Sequence, residues 1–264
     1  MTPRLLFSHV ALGKHPEAIR SYMTSAGYAG VEWNLEAWRV MITREARRRL
    51  LERFRGAASF CSVHAPYTDL EIGHRDPELA AASLRILREY VDIAAELGAH
   101  HLNVHVGSFG LAPDERSWEG LVRNLTSLME HAARRGTRVT VENLRRGLTS
   151  EPETFAALLR ATGAPVTFDH GHAHGSAWVQ EGRGTVLDVL QSIPTPIIAA
   201  HLYLTERDDT HVAPADPEEM AGALDLLRER GCDFWVLELL SREALEQTRR
   251  VVERYLAPEH PKTT

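Results

Sequence analysis

Eight short apolar runs along this 264-residue chain each carry or end on an ionisable residue: His9, Glu32, His64, His105, Glu142, Asp169, His201 and Glu238. Val139-Thr140-Val141-Glu142, Val166-Thr167-Phe168-Asp169 and Val236-Leu237-Glu238 show the pattern. Continuously apolar runs mark strands covered on both faces, the habit of parallel sheets flanked by helices. A carboxylate or imidazole at the end of such a strand needs a partner, because an isolated buried charge is strongly disfavoured. A closed barrel brings all eight strand ends to one place, where a metal ion can serve them together.

The rest of the chain agrees with that architecture. Strands are predicted near 4–8, 30–34, 58–64, 101–106, 138–142, 165–169, 197–203 and 234–239. Between them lie amphipathic stretches near 15–26, 43–55, 77–97, 115–135, 152–161, 183–192, 217–230 and 242–256. Asp76-Pro77-Glu78 and Asp216-Pro217-Glu218-Glu219 put an N-cap before a proline, and Ser150 with Glu153 reads as a capping box. Gly27, Gly56, Gly98, Gly136, Gly163 and Gly231 each follow a helix, where a left-handed residue is wanted. Eight β-then-α units without a linker or repeat predict the α/β class: a single (β/α)8 barrel over 1–257, with a polar tail at 258–264.

Strand parity says which way the ionisable groups face. Thr140 shares a face with Glu142, Thr167 with Asp169, Ala199 with His201 and Val236 with Glu238. The opposite faces carry Val139, Val141, Val166, Phe168, Ile198, Ala200 and Leu202 and should pack on the helices. The ionisable residues therefore point inward at the C-terminal mouth, where barrel enzymes keep their active sites.

Composition removes several alternatives. No run approaches the roughly 18 apolar residues of a membrane span. The two distant cysteines, Cys61 and Cys232, argue against a disulfide scaffold. With no secretory signal read at the N-terminus, they give an expectation of a cytoplasmic protein. A net charge of −6 offers no overall attraction to nucleic acid. Lysine occurs only at Lys14 and Lys262, so no central strand offers a Schiff-base amine.

Glu142, Asp169, His201 and Glu238 would converge from strands five to eight. Three carboxylates and an imidazole suit a divalent ion, with Mn2+ the first choice and Mg2+, Co2+ or Zn2+ as alternatives. The competing reading is a salt-bridged barrel floor with no ion, which would crowd three acids together without cations.

This arrangement resembles the xylose-isomerase-like TIM barrels, a superfamily of sugar isomerases, sugar epimerases and endonuclease IV-type apurinic endonucleases. The resemblance runs through His64-Ala65-Pro66-Tyr67, Asn103-Val104-His105-Val106-Gly107-Ser108, Val141-Glu142-Asn143, Phe168-Asp169-His170-Gly171-His172, His201-Leu202 and Leu237-Glu238, nearly the whole chain. It implies that Glu142, Asp169, His201 and Glu238 hold the metal. It also implies that Glu142 and Glu238 exchange protons on opposite faces of a substrate whose oxygens His172 and Arg207 would hold. The endonucleases bind three zinc ions, and their ligand types have counterparts in His64, His105 and Glu142; in the four strand-end residues; and in His172, Asp209 and His211. Against that, Asp209-Thr210-His211 follows His201 sooner than in the endonucleases, and Tyr203-Leu204-Thr205-Glu206-Arg207 replaces their Asp-Ser-Lys stretch. His64 and His105 are open to three readings: metal ligand, partner of substrate or of a ligand, and core histidine.

Weaker features take plainer readings. Cys61 should face the helices, away from His64. Arg44, Arg47, Arg48, Arg49, Arg53 and Arg55, interleaved with Glu45 and Glu52, read as a solvated helix face. His170 and His174 alternate away from His172. Trp33, Trp38 and Trp178 either wall the mouth or pack locally. The expected function is isomerisation or epimerisation of a small sugar, polyol ketone or hydroxy-ketone through an enediolate, or dehydration by the same enolisation. The alternatives are a three-zinc phosphodiesterase acting on abasic DNA and a non-catalytic barrel subunit. The expected partner is a small polyol or keto-sugar rather than nucleic acid or membrane, with a homo-oligomer left open.

Overall fold

The computed structural model describes residues 2–38, 43–107 and 112–257. The expected tail at 258–264 and Ser108 lie outside them, as does the side chain of Trp38. Eight parallel strands close into a barrel. Seven come in succession: β1 (Arg4–Ser8), β2 (Gly30–Asn34), β3 (Cys61–His64), β4 (Leu102–Val104), β5 (Val139–Glu142), β6 (Val166–Asp169) and β7 (Ile197–Leu202). A small hairpin of β8 (Thr205–Arg207) and β9 (Thr210–Val212) intervenes before the eighth, β10 (Phe234–Leu237). Each barrel strand pairs with its neighbours in sequence, and β10 pairs with β1 to close the ring. The helices are α1 (Pro16–Ala26), α2 (Arg44–Phe54), α3 (Pro77–Glu96), α4 (Trp118–Arg134), α5 (Pro152–Thr162), the short α6 (His170–Gly175) and α7 (Ala177–Gln180), α8 (Val186–Ser192), α9 (Ala221–Glu229) and α10 (Arg242–Leu256).

Most helix starts have a chemical cause. Asp76 accepts from the Glu78 amide at 2.8 Å ahead of Pro77, and Thr43, Ser117 and Ser241 cap α2, α4 and α10. The Ser150–Glu153 box does not form. Glu151 is the N-cap of α5 without a side-chain bond, and the Ser150 hydroxyl donates to the Gly147 carbonyl at 2.8 Å. Pro152 already sets the first turn, so the cap is dispensable there. All six expected left-handed glycines have positive φ. Gly30 serves a different need: a Cβ there would lie 2.4 Å from the Phe60 carbonyl, so β2 can start against β3 only without a side chain.

Apolar side chains fill the layer between strands and helices, as parity requires. Cys61 belongs to that core, and burial pushes its thiol up to about 11. Trp33 is also core, stacked on Phe54 with ring centres 4.3 Å apart, so it does not line the mouth. Trp178 packs against the same core beneath the Arg183 guanidinium. The arginines of α2 are tied up locally: Arg48 and Arg49 pair with Glu45, Arg48 with Glu52, and Arg47 with Glu89. Inside the barrel, Thr140 and Thr167 hydroxyls meet at 2.7 Å and form a polar layer beneath the ionisable strand ends.

Two elements go beyond the expected pattern. The stretch after β6 is helical, since α6 and α7 precede α8, which begins at Val186 rather than near 183. The β8–β9 hairpin after β7 is the other. Its turn is Asp208-Asp209, both at positive φ (46° and 56°), a conformation that Asp tolerates better than most residues. No helix among the described residues is long and apolar enough to cross a membrane.

Candidate metal centre

The barrel register carries the ionisable residues to one level. Asp169 pairs with His201, Val236 with His201, and Asn34 with His64. Two groups result, each with its ligand atoms within 4.8 Å of one another: Glu142, Asp169, His201 and Glu238; and His64, His105 and Glu142. Glu142 belongs to both, fully buried, with its two oxygens facing different ways.

Glu142 Oε2 lies 3.4 Å from His64 Nε2 and 3.3 Å from His105 Nε2, and it accepts from Asn103 Nδ2. Its Oε1 lies 3.1 Å from His172 Nδ1 and 3.6 Å from His201 Nδ1. The same His201 nitrogen is 2.9 Å from Glu238 Oε2 and 3.5 Å from Asp169 Oδ2. One imidazole nitrogen thus faces three carboxylates.

Backbone contacts fix several of these side chains. Asn143, next to Glu142, donates to the Asp169 carbonyl and accepts from the Asp169 amide, both at 2.8 Å, which locks β5 to β6. Asp169 caps α6 by accepting from the His172 amide at 2.5 Å, so the aspartate and the histidine three residues on share one helical turn. His64 Nδ1 lies 2.8 Å from the Ala65 carbonyl, to which its N–H donates, and Nε2 faces Glu142. The Tyr67 ring stacks on His105 at 4.6 Å.

The other expected residues divide. His172 enters the site, and His211 borders it: its ring stacks on Tyr203 at 4.0 Å and its Nδ1 lies 2.6 Å from the Glu238 carbonyl. Arg207 is exposed, and Asp209, with its side chain 93% exposed, pairs with Arg145 at 3.3 Å. The place expected for Arg207 beside His172 is held by Glu206, whose Oε2 is 3.2 Å from both His172 Nε2 and Arg145 Nε. Alternation within β8 turns Glu206 inward and Arg207 outward. His170 points elsewhere, with Nδ1 3.0 Å from the Tyr203 carbonyl.

Charge is shared across the cluster. Burial disfavours the ionised form of every member, and the mutual contacts reverse that for most of them. His64 is raised to about 9, because hydrogen bonding and charge from Glu142 outweigh its burial. His172 and His201 are raised well above the ordinary range by the carboxylates around them, again against burial. Glu142 and Glu238 are held below the usual carboxylate range by the facing imidazoles despite their burial. Asp169 is raised and His105 lowered, burial dominating in both.

The donor set fits a divalent cation. Glu142 Oε1, Asp169 Oδ2 and His201 Nδ1 are all buried without a hydrogen-bond partner, although each lies within ion-pair reach of another. Buried polar atoms are seldom left so, and a cation at their common focus would satisfy them together.

Comparison with known proteins agrees with the fold. An uncharacterized protein of Methanocaldococcus jannaschii is 25% identical over 193 residues, 73% of this chain and 79% of its own. A D-tagatose 3-epimerase-like protein superposes with a TM-score of 0.72 at 21% identity, covering 96% of this chain and 97% of the other. Endonuclease IV from Thermus thermophilus gives 0.64 at 22%, covering 96% and 99%. Residues 21–255 match the family described as xylose isomerase-like TIM barrel, and the chain belongs to that family.

Proposed function

We propose that this protein is a divalent-metal-dependent isomerase or epimerase of a small sugar, polyol ketone or related hydroxy-ketone. The observation that carries the reading is the pair Glu142 and Glu238, two depressed carboxylates that approach one imidazole nitrogen, at 3.6 and 2.9 Å, within a four-ligand group. Glu142, Asp169, His201 and Glu238 would hold the ion. When bound, it polarises adjacent carbonyl and hydroxyl oxygens of the substrate and acidifies the carbon-bound proton between them. The glutamate that is ionised accepts that proton, and its counterpart, once it has taken a proton from solvent, would return one at the opposite face. His172, whose Nδ1 faces Glu142 and whose Nε2 faces Glu206, would donate to a substrate oxygen by exchanging one of those contacts. Loss of hydroxide from the same enediolate would make the reaction a dehydration.

A second reading, phosphodiester hydrolysis at abasic sites, draws on the group His64, His105 and Glu142, which could hold a further ion. Two findings weigh against it. Among the described residues, His172, Asp209 and His211 do not form a third ligand group, and Arg47, Arg48 and Arg49 of α2 are paired with glutamates.

The test is isotope exchange in deuterated water with a panel of ketoses and inososes, alongside elemental analysis of the purified protein. Deuterium should enter the carbon beside the carbonyl, with one ion per chain required for it. Replacing either Glu142 or Glu238 by Gln should lower turnover at least about 10²-fold, the low end of acid–base contributions. No exchange across the panel, together with nicking of abasic DNA by a protein holding two or three zinc ions, would overturn the proposal.

A further inference from the structure

Glu32 belongs to neither ligand group, yet it is completely buried in the barrel interior. It sits on β2, and the residue it meets is His201 on β7, which is not a neighbouring strand. Glu32 Oε1 lies 3.1 Å from His201 Nε2, and neither atom has a hydrogen-bond partner. The other carboxylate oxygen is anchored, accepting from the Ser62 hydroxyl of β3 at 3.0 Å. The His201 ring is thus spanned, with Nδ1 toward three carboxylates and Nε2 toward a fourth.

We propose that Glu32 is a positioning residue that keeps the proton of the neutral His201 ring on Nε2 and so presents Nδ1 to a divalent ion. The inference rests on the metal-centre reading above. A ligating imidazole must be deprotonated on the ligating nitrogen, which leaves its single proton on the other one. A carboxylate at that second nitrogen fixes both tautomer and ring orientation and raises the basicity of the ligand, effects that commonly amount to about 10–100-fold in metal affinity. Ser62 matters because it holds the carboxylate so that one oxygen, and not the other, meets the ring.

The experiment titrates the purified protein with Mn2+ and with Zn2+ by calorimetry, in the wild type and in Glu32→Ala, Glu32→Gln and Ser62→Ala. The Kd should weaken about 10–100-fold in Glu32→Ala. Glu32→Gln, whose amide oxygen still accepts from Nε2, should recover most of that loss, and Ser62→Ala should give a smaller loss. Nitrogen-15 NMR of the Zn2+-loaded protein adds a readout that a purely structural role would leave unmoved. The wild type and Glu32→Gln should show a slowly exchanging proton on His201 Nε2, and Glu32→Ala should lose it. An unchanged Kd in Glu32→Ala, or a wild-type His201 protonated on Nδ1, overturns the inference while leaving the metal centre standing. If the wild type takes up neither metal, both readings fall together. Should Glu32→Ala fail to fold, the wild-type and Glu32→Gln spectra decide.

Discussion

Replacing Gly171 with alanine is a one-methyl perturbation whose cost can be worked from the packing. Gly171 lies in α6, between the cap residue Asp169 and His172, and a Cβ built there would stand 1.9, 2.3 and 2.4 Å from three atoms of the Tyr203 ring. Those contacts are far below van der Waals distance, and the obstacle is a rigid ring rather than a flexible side-chain end. Tyr203 is completely buried and stacked flat on His211 at 4.0 Å, so it can move only by shifting the hairpin or α6. Overpacking typically costs about 1–3 kcal/mol, and with no relief available we expect about 3. At about 2.1 cal/mol/K per residue, a 264-residue chain unfolds with an entropy of about 0.55 kcal/mol/K, so the melting temperature should fall by about 5 °C. The assay is a double-mutant cycle of Gly171→Ala and Tyr203→Leu followed by thermal melts. If the clash is the cause, Tyr203→Leu makes room, and the double variant should be more stable than the sum of the singles by about 2 kcal/mol. Additivity within about 0.5 kcal/mol would refute the reasoning.

Other outcomes follow from the site and its surroundings. Chelation should abolish activity while the circular dichroism spectrum is retained, and restoring Mn2+ at about 100 times its Kd should add about 2.7 kcal/mol, near 5 °C in the melt; a chain that unfolds on chelation would contradict a purely catalytic ion. His9 is lowered to about 4 by burial, the largest cause, and stays neutral in the fold, its Nδ1 accepting from the Asn34 amide at 3.1 Å. Its unfolded form takes a proton near 6.5, so stability is lost as pH falls from about 6.5 to about 4, by up to about 3 kcal/mol, and equilibrium unfolding of His9→Gln should show a correspondingly shallower acid limb.

Whatever depends on period and position along the chain was legible in the sequence. The alternation that set Glu142 with Thr140, and Asp169 with Thr167, is a property of extended backbone and needs no knowledge of neighbours. The hairpin at 205–212 was hidden because each strand has three residues and its turn uses Asp208-Asp209 instead of a glycine pair. The family resemblance alone put Arg207 at the site, whereas in the hairpin, with Glu206 paired antiparallel to His211, the acid turns inward. The helix α6 was hidden by its composition, His-Gly-His-Ala-His-Gly, which resembles a loop. The available signal was Asp169, a good N-cap followed three residues later by a histidine. Glu32 stood out as a buried-strand acid, but its partner across the barrel depends on the register of strands that are distant in sequence.

Because Glu142 is common to both ligand groups, the two halves of the centre are unequal in what a substitution does to them. Changing Glu142 dismantles everything at once. His64 and His105, by contrast, contribute to one group only and come from β3 and the segment just after β4, meeting the four-ligand set through Glu142. On the function proposed above, the number of ions is therefore set at two positions, while Glu142 and Glu238 keep their places. On that reading, editing those two histidines would change how many ions are held while the strands that carry the four-ligand group stay untouched.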